Sequence, residues 1–171
     1  QNANRDSSVF RDIFYMLYHH FGQQVQWQRS KFRFKMPIKL LDSTLVSLTM
    51  SVYDWAHYTT TKGAVKMHTL LDYDCLLPEF VNITTGKTTD NKAAYDIVVP
   101  KHSIVVADRG YCDYSLLNHW DSNKAFFVVR HKDNIRYKSI EERTLPEKHA
   151  QNVLIDEIIE FELPDAREKY P

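Results

Sequence analysis

The chain has 171 residues, 43% of them hydrophobic and 13% aromatic, enough for one domain with a real core and too few for two comfortable ones. Its formal net charge of zero argues against a generic nucleic-acid binder, and it holds no apolar stretch of membrane-spanning length and no leading signal peptide. A cytoplasmic protein is expected, and because it begins at Gln1 and stops at Pro171, both ends look cut from something longer.

The first element predicted is a helix. Ser7 and Ser8 can cap it, Phe10, Ile13, Phe14, Leu17 and Phe21 follow helical spacing, and Gly22 suits its end. No acid occurs from Ile13 to Leu41, whereas Arg29, Lys31, Arg33, Lys35 and Lys39 all do. Such a run is either a solvated face or a surface that meets phosphate, with Arg33 and Lys35 as candidate DNA contacts. Residues 32–48 read as extended: Phe32, Phe34 and Met36 alternate with Arg33 and Lys35, and a β-branched run follows. Ala64 to Leu71 and Phe80 to Thr84 are the next two strands.

Asp90 can cap a helix over about Asn91 to Ile97, which Pro100 ends. Ile104 to Ala107 is a continuous apolar run, the pattern of a central strand covered on both faces. Asp113 caps a helix presenting Leu116, Leu117 and Trp120, and Ala125 to Arg130 reads as another buried strand. Ile135–Ile140 and Val153–Glu162 look like two more. Nine acids against four bases from Ser139 onward give this tail a charge of −5, balancing +5 in residues 1–138; a solvated face accounts for it. The order is three strands, then strands alternating with helices, which is the pattern of a ribonuclease-H-like α/β sheet. Three segments are expected: a helical lead-in over residues 1–30, a ribonuclease-H-like core over 31–132, and a β-rich segment over 133–171.

Several chemistries are excluded. Cys75 and Cys112 form no CxxC pair, the eight histidines contain no HxxxH, and four glycines give no phosphate-cradling loop. Two carboxylates remain. Asp42 interrupts an apolar strand, where a charge needs a cation, hydrogen-bond donors or a cleft. Asp108 closes the apolar run at Ala107, and ligands of open α/β sheets bind at the carboxyl ends of strands. Were the first and fourth strands neighbours, the two would converge and suit Mg²⁺ or Mn²⁺. Ser43 and Thr44 could instead satisfy Asp42, and Asp108 before Arg109-Gly110 is also a good turn former.

Leu41-Asp42-Ser43-Thr44, Lys62-Gly63-Ala64-Val65-Lys66-Met67-His68, Pro78 to Asp90 with Gly86-Lys87, and Ala107-Asp108-Arg109-Gly110-Tyr111 occur in this order. Together they resemble bacterial insertion-sequence DDE transposases of the cut-and-paste type, those with a β-rich insertion before the third acid. The likeness covers about residues 35 to 171, and by it residues 31–132 would be a partial catalytic core and residues 133–171 the start of that insertion. It implies that Asp42 and Asp108 are the first two catalytic, metal-binding acids. It also implies Mg²⁺ or Mn²⁺ as cofactor, transposon ends and target DNA as partners, and a homodimer in the synaptic complex.

The family's third acid is a helical glutamate that follows the insertion. Glu168 stands among Arg167, Lys169 and Tyr170 without helical spacing, so the true third acid is expected downstream of this chain, and the chain alone is expected to be inactive. Lys66 and His68 share a strand face and could approach DNA; equally, His68 could be a hydrogen-bonded core residue and Lys66 could reach solvent. Arg109 could contact DNA or pair with an acid. Tyr53, Trp55 and Tyr58 could stack on frayed bases or cover the sheet edge. The competing functions are a ribonuclease-H-like nuclease without strand transfer, a non-catalytic DNA-binding remnant, and an α/β domain with a small-molecule site.

Overall fold

The computed structural model describes residues 6–24, 32–48, 63–133 and 135–162. Arg29, Lys31, Tyr53, Trp55, Tyr58 and Glu168 lie outside the described residues. Helix α1 (Ser8–Gln24) is followed by the strands β1 (Ile38–Leu48), β2 (Gly63–Asp72) and β3 (Pro78–Thr85). Helix α2 (Asp90–Ala94) then leads to β4 (Ile104–Ala107), and α3 (Tyr114–Ser122) to β5 (Phe126–Val129). Strands β6 (Tyr137–Glu142) and β7 (Glu157–Phe161) pair with each other in a separate two-stranded sheet.

The main sheet has five strands in the order β3-β2-β1-β4-β5. β1 is antiparallel to β2 and parallel to β4, and β4 is parallel to β5. The fold is therefore mixed α/β with the ribonuclease-H-like strand order that the sequence predicts. Local chemistry explains several junctions. The Asp113 carboxylate accepts from Leu116 N at 3.1 Å and starts α3, as expected of an N-cap. At the start of α1 it is Asp6, not Ser7, that accepts from the backbone, at Ser8 N, and the helix runs past Gly22.

Leu41, Leu70 and Val105 share one sheet face and meet Ala94 and Ile97 from the α2 region and Leu116 and Trp120 from α3 in the core. Trp120 is 1% exposed and also packs toward Phe127 with ring centroids 6.3 Å apart. Burying such a ring is worth about 1.5–3 kcal/mol, which secures α3 to the sheet.

The other face differs from expectation. Pairing register puts Val81, Ile83, Phe126 and Val128 on it, and all four are exposed. Among the described residues, the helices cover one face of the sheet, so β5 is half-covered rather than buried. An apolar run predicts the capacity for two-sided burial, but the burial itself depends on what packs there. Residues 32–37 also depart from expectation: they are bends ahead of β1, where Phe32 and Phe34 stack with centroids 5.0 Å apart. No described helix is long and apolar enough to cross a membrane.

At the amino end of β1, Lys39 is buried at 4% exposure. Its ammonium binds Asp72 Oδ2 at 2.7 Å and Glu79 Oε1 at 2.6 Å. Burial pulls the Lys39 ammonium toward deprotonation, but the two carboxylates outweigh that and raise its pKa. Burial pushes the Asp72 carboxyl up, yet Lys39 and the Cys75 N–H hold it below the ordinary carboxylate range.

Candidate active site

Register assembles the site. In the parallel β1–β4 pair, Leu41 lies opposite Ala107, so Asp42 and Asp108 are the next residues along two neighbouring strands. Neighbouring strands run roughly 5 Å apart, which brings the two acids together at the carboxyl end of β4. Both residues are exposed. Asp108 has extended backbone and leads into a 3₁₀ turn over Arg109–Tyr111, accepting from Gly110 N at 2.8 Å.

A third carboxylate stands beside them. Asp90 is the first residue of α2, but the helix is capped by Thr89 without any side-chain bond. The Asp90 carboxylate reaches across to the sheet instead. Its Oδ1 accepts from Ser43 Oγ at 2.7 Å and from Lys66 Nζ at 3.2 Å, with His68 Nδ1 at 3.7 Å. Ser43 lies opposite His68 in the β1–β2 register and shares the helix-bearing face with Lys66. The expectation that Asp90 serves as a helix cap is therefore corrected, because its partners lie 47 and 24 residues away.

His68 is fully buried, with Nε2 3.0 Å from Thr84 Oγ1. Burial is the main reason its pKa lies below the usual histidine value; Lys66 adds to the shift and Asp90 opposes it. The ring is thus neutral near pH 7 and presents no surface to a nucleic acid. Lys66 is held by Asp90 rather than extended into solvent. Tyr111 is 1% exposed, and its hydroxyl has no hydrogen-bond partner of good geometry, although Ser43 lies within reach. Burial, and then the charge of Asp90, push the Tyr111 hydroxyl far above its ordinary pKa, with Asp42 and Asp108 adding to the effect. It remains protonated and feels the charge of all three acids.

Arg109 is about half exposed, with Nη1 3.6 Å from Asp133 Oδ2. Arg109, Gly110, Lys132 and Asp133 line an open cleft next to Asp108. Lys132 was not among the residues expected from sequence; only the fold brings the end of β5 beside the turn after β4. Arg33 and Lys35 are exposed but precede the amino end of β1. Four residues from Ile38 to Asp42 already span about 13 Å of strand, so the fold does not gather this pair with the acids.

Three proteins with transposase names resemble the chain. One is y4zB of Sinorhizobium fredii, 28% identical over 144 residues, covering 84% of this chain and 39% of that protein. The second is the transposase of insertion sequence element IS5377 from Geobacillus stearothermophilus, 31% identical over 107 residues, covering 63% and 28%. The third is that of element IS4SA from Synechocystis, 25% identical over 142 residues, covering 81% and 40%. The chain thus spans less than half the length of each. The family model described as "Transposase DDE domain" matches residues 33–166.

Proposed function

Because the chain belongs to the transposase DDE domain family, we propose that it forms part of a catalytic domain that cuts and joins DNA at transposon ends, with Asp42 and Asp108 holding a divalent metal ion. The observation that carries this is the register: two acids one step beyond Leu41 and Ala107 on neighbouring parallel strands. Exposed carboxylates, one within β1 and one just past the end of β4, are hard oxygen donors of the kind Mg²⁺ and Mn²⁺ prefer. Among the described residues no three His, Cys, Asp or Glu side chains are grouped to hold an ion by themselves. Mg²⁺ commonly shares its coordination between one or two carboxylates, water and substrate phosphate.

Bound there, the ion would supply activation of the attacking hydroxyl and stabilisation of charge at the scissile phosphate. The protein's own contribution is orientation. Asp42 and Asp108 fix the donor pair, with the Gly110 N–H steadying one Asp108 oxygen. Arg109 and Lys132 face the cleft beside them and offer cationic groups to a phosphate backbone. The partners are transposon-end and target duplexes, engaged by a homodimer. A third acid is expected downstream, and the chain alone is expected not to cleave.

Mn²⁺ titration of the purified chain, followed by loss of the free-ion electron paramagnetic resonance signal, tests the metal site. Binding should be lost in Asp42→Asn and in Asp108→Asn. Undiminished binding in both variants would remove the basis for the proposal.

A further inference from the structure

We infer that Asp90 is a positioning residue for the Asp42–Asp108 pair, tying the strand that bears one acid to the turn that bears the other. One end of this tie is Ser43, next to Asp42, whose hydroxyl gives Asp90 Oδ1 a 2.7 Å hydrogen bond. The other carboxylate oxygen of Asp90 lies beside Gly110, in the turn that follows Asp108. A Cβ built on that glycine would lie 3.0 Å from both Asp90 Oδ2 and Asp108 Oδ1, so the two carboxylates flank one small residue. The Gly110 N–H in turn holds Asp108 Oδ1 at 2.8 Å. Lys66, at 3.2 Å, balances the charge of Asp90 and fixes it from β2.

Two further groups point into the same cluster. Tyr111 Oη and His68 Nδ1 are both buried, with Ser43 within reach of the tyrosine hydroxyl and Asp90 Oδ1 3.7 Å from the imidazole nitrogen. The cluster is arranged as a support that sets carboxylate geometry from behind. The Asp90 Oδ1 is already taken up by Ser43 and Lys66. The inference rests on the metal site proposed above, because Asp90 can position a pair only if that pair binds an ion.

The test is Mn²⁺ titration of the whole chain as Asp90→Asn, Ser43→Ala, Asp42→Asn and Asp108→Asn, with melting of each metal-free variant recorded. Groups that orient metal ligands typically change affinity about 10–100-fold, and that loss is expected in both Asp90→Asn and Ser43→Ala. Ser43→Ala changes no charge, so a shared loss cannot come from electrostatics at a distance; it is also the milder substitution should Asp90→Asn fold poorly. If Asp42→Asn and Asp108→Asn abolish binding while Ser43→Ala and Asp90→Asn bind as the parent does, the positioning role is overturned and the metal site stands. Weakening in Asp90→Asn alone, with Ser43→Ala unchanged, overturns it as well, since charge or direct ligation would then suffice. If neither Asp42→Asn nor Asp108→Asn alters binding, the metal site itself fails.

Discussion

The Gly110 N–H donates to Asp108 Oδ1 at 2.8 Å, while the space a side chain would fill on that same glycine is bounded by Asp108 and Asp90. The glycine's φ is not positive, so its backbone is one alanine adopts readily. What Gly110→Ala changes is therefore the two carboxylates, which must give way to a Cβ 3.0 Å from each. Stability should stay within about 1 kcal/mol of the parent, because loss of chain entropy in the unfolded state offsets local crowding. Mn²⁺ affinity should fall severalfold. Titration and thermal melting of one preparation give both numbers.

The Lys39 triad governs stability at the opposite end of β1. Lys39→Met leaves Asp72 and Glu79 without their cation, and breaking a buried pair from one side typically costs about 3–5 kcal/mol. The sign with pH follows from Asp72, whose folded pKa lies below its ordinary value of 3.8. Its contribution is complete above that value and is lost as pH falls through the lower folded one. Denaturant midpoints of parent and variant should differ widely at pH 7 and draw together below about pH 4.

His68 gives the opposite end of the pH scale its dependence. Its folded pKa lies below the ordinary 6.5, so the unfolded chain takes up a proton first as pH falls. Stability from a neutral buried ring is thus unaffected at pH 8 and declines from about pH 6.5 downward. His68→Gln loses packing at every pH but lacks this decline. The melting-temperature gap between parent and His68→Gln should narrow between pH 8 and pH 5; a constant gap would count against the buried neutral histidine.

Much of this architecture was legible in the residues. Strands over Ala64–Leu71 and Phe80–Thr84 were expected close to where β2 and β3 lie, Asp113 announced α3, and the apolar run before Asp108 marked β4, whereas the alternation at Phe32, Phe34 and Met36 marked no strand. That the first and fourth strands adjoin is borne out by the register, while the reading of Asp42 and Asp108 as a pair rested on the family resemblance as well. Asp90 was misread because an Asp ahead of a short helix is normally a cap, and nothing local reveals a bond to Ser43 across 47 positions. Lys132 escaped notice for the same reason. Burial was over-read at β5, since Phe126 and Val128 look like core but are 53% and 60% exposed.

Arg109 and Lys132 border the cleft beside Asp108 and should meet DNA phosphate. Alanine at either position is expected to weaken duplex binding regardless of sequence and to reduce the salt dependence by about one ion per residue removed. Fluorescence anisotropy of a labelled duplex from low to moderate salt measures that slope. An unchanged slope in both variants would place the DNA path elsewhere.

The central claim is that Asp42 and Asp108 share a metal ion, and crystals of the chain soaked in Mn²⁺ test it most directly. Anomalous diffraction should reveal a peak between the two carboxylates, roughly 2.0–2.6 Å from an oxygen of each, as hard cations require. A crystal with Mn²⁺ bound elsewhere, or none at this pair at saturating concentration, would contradict it.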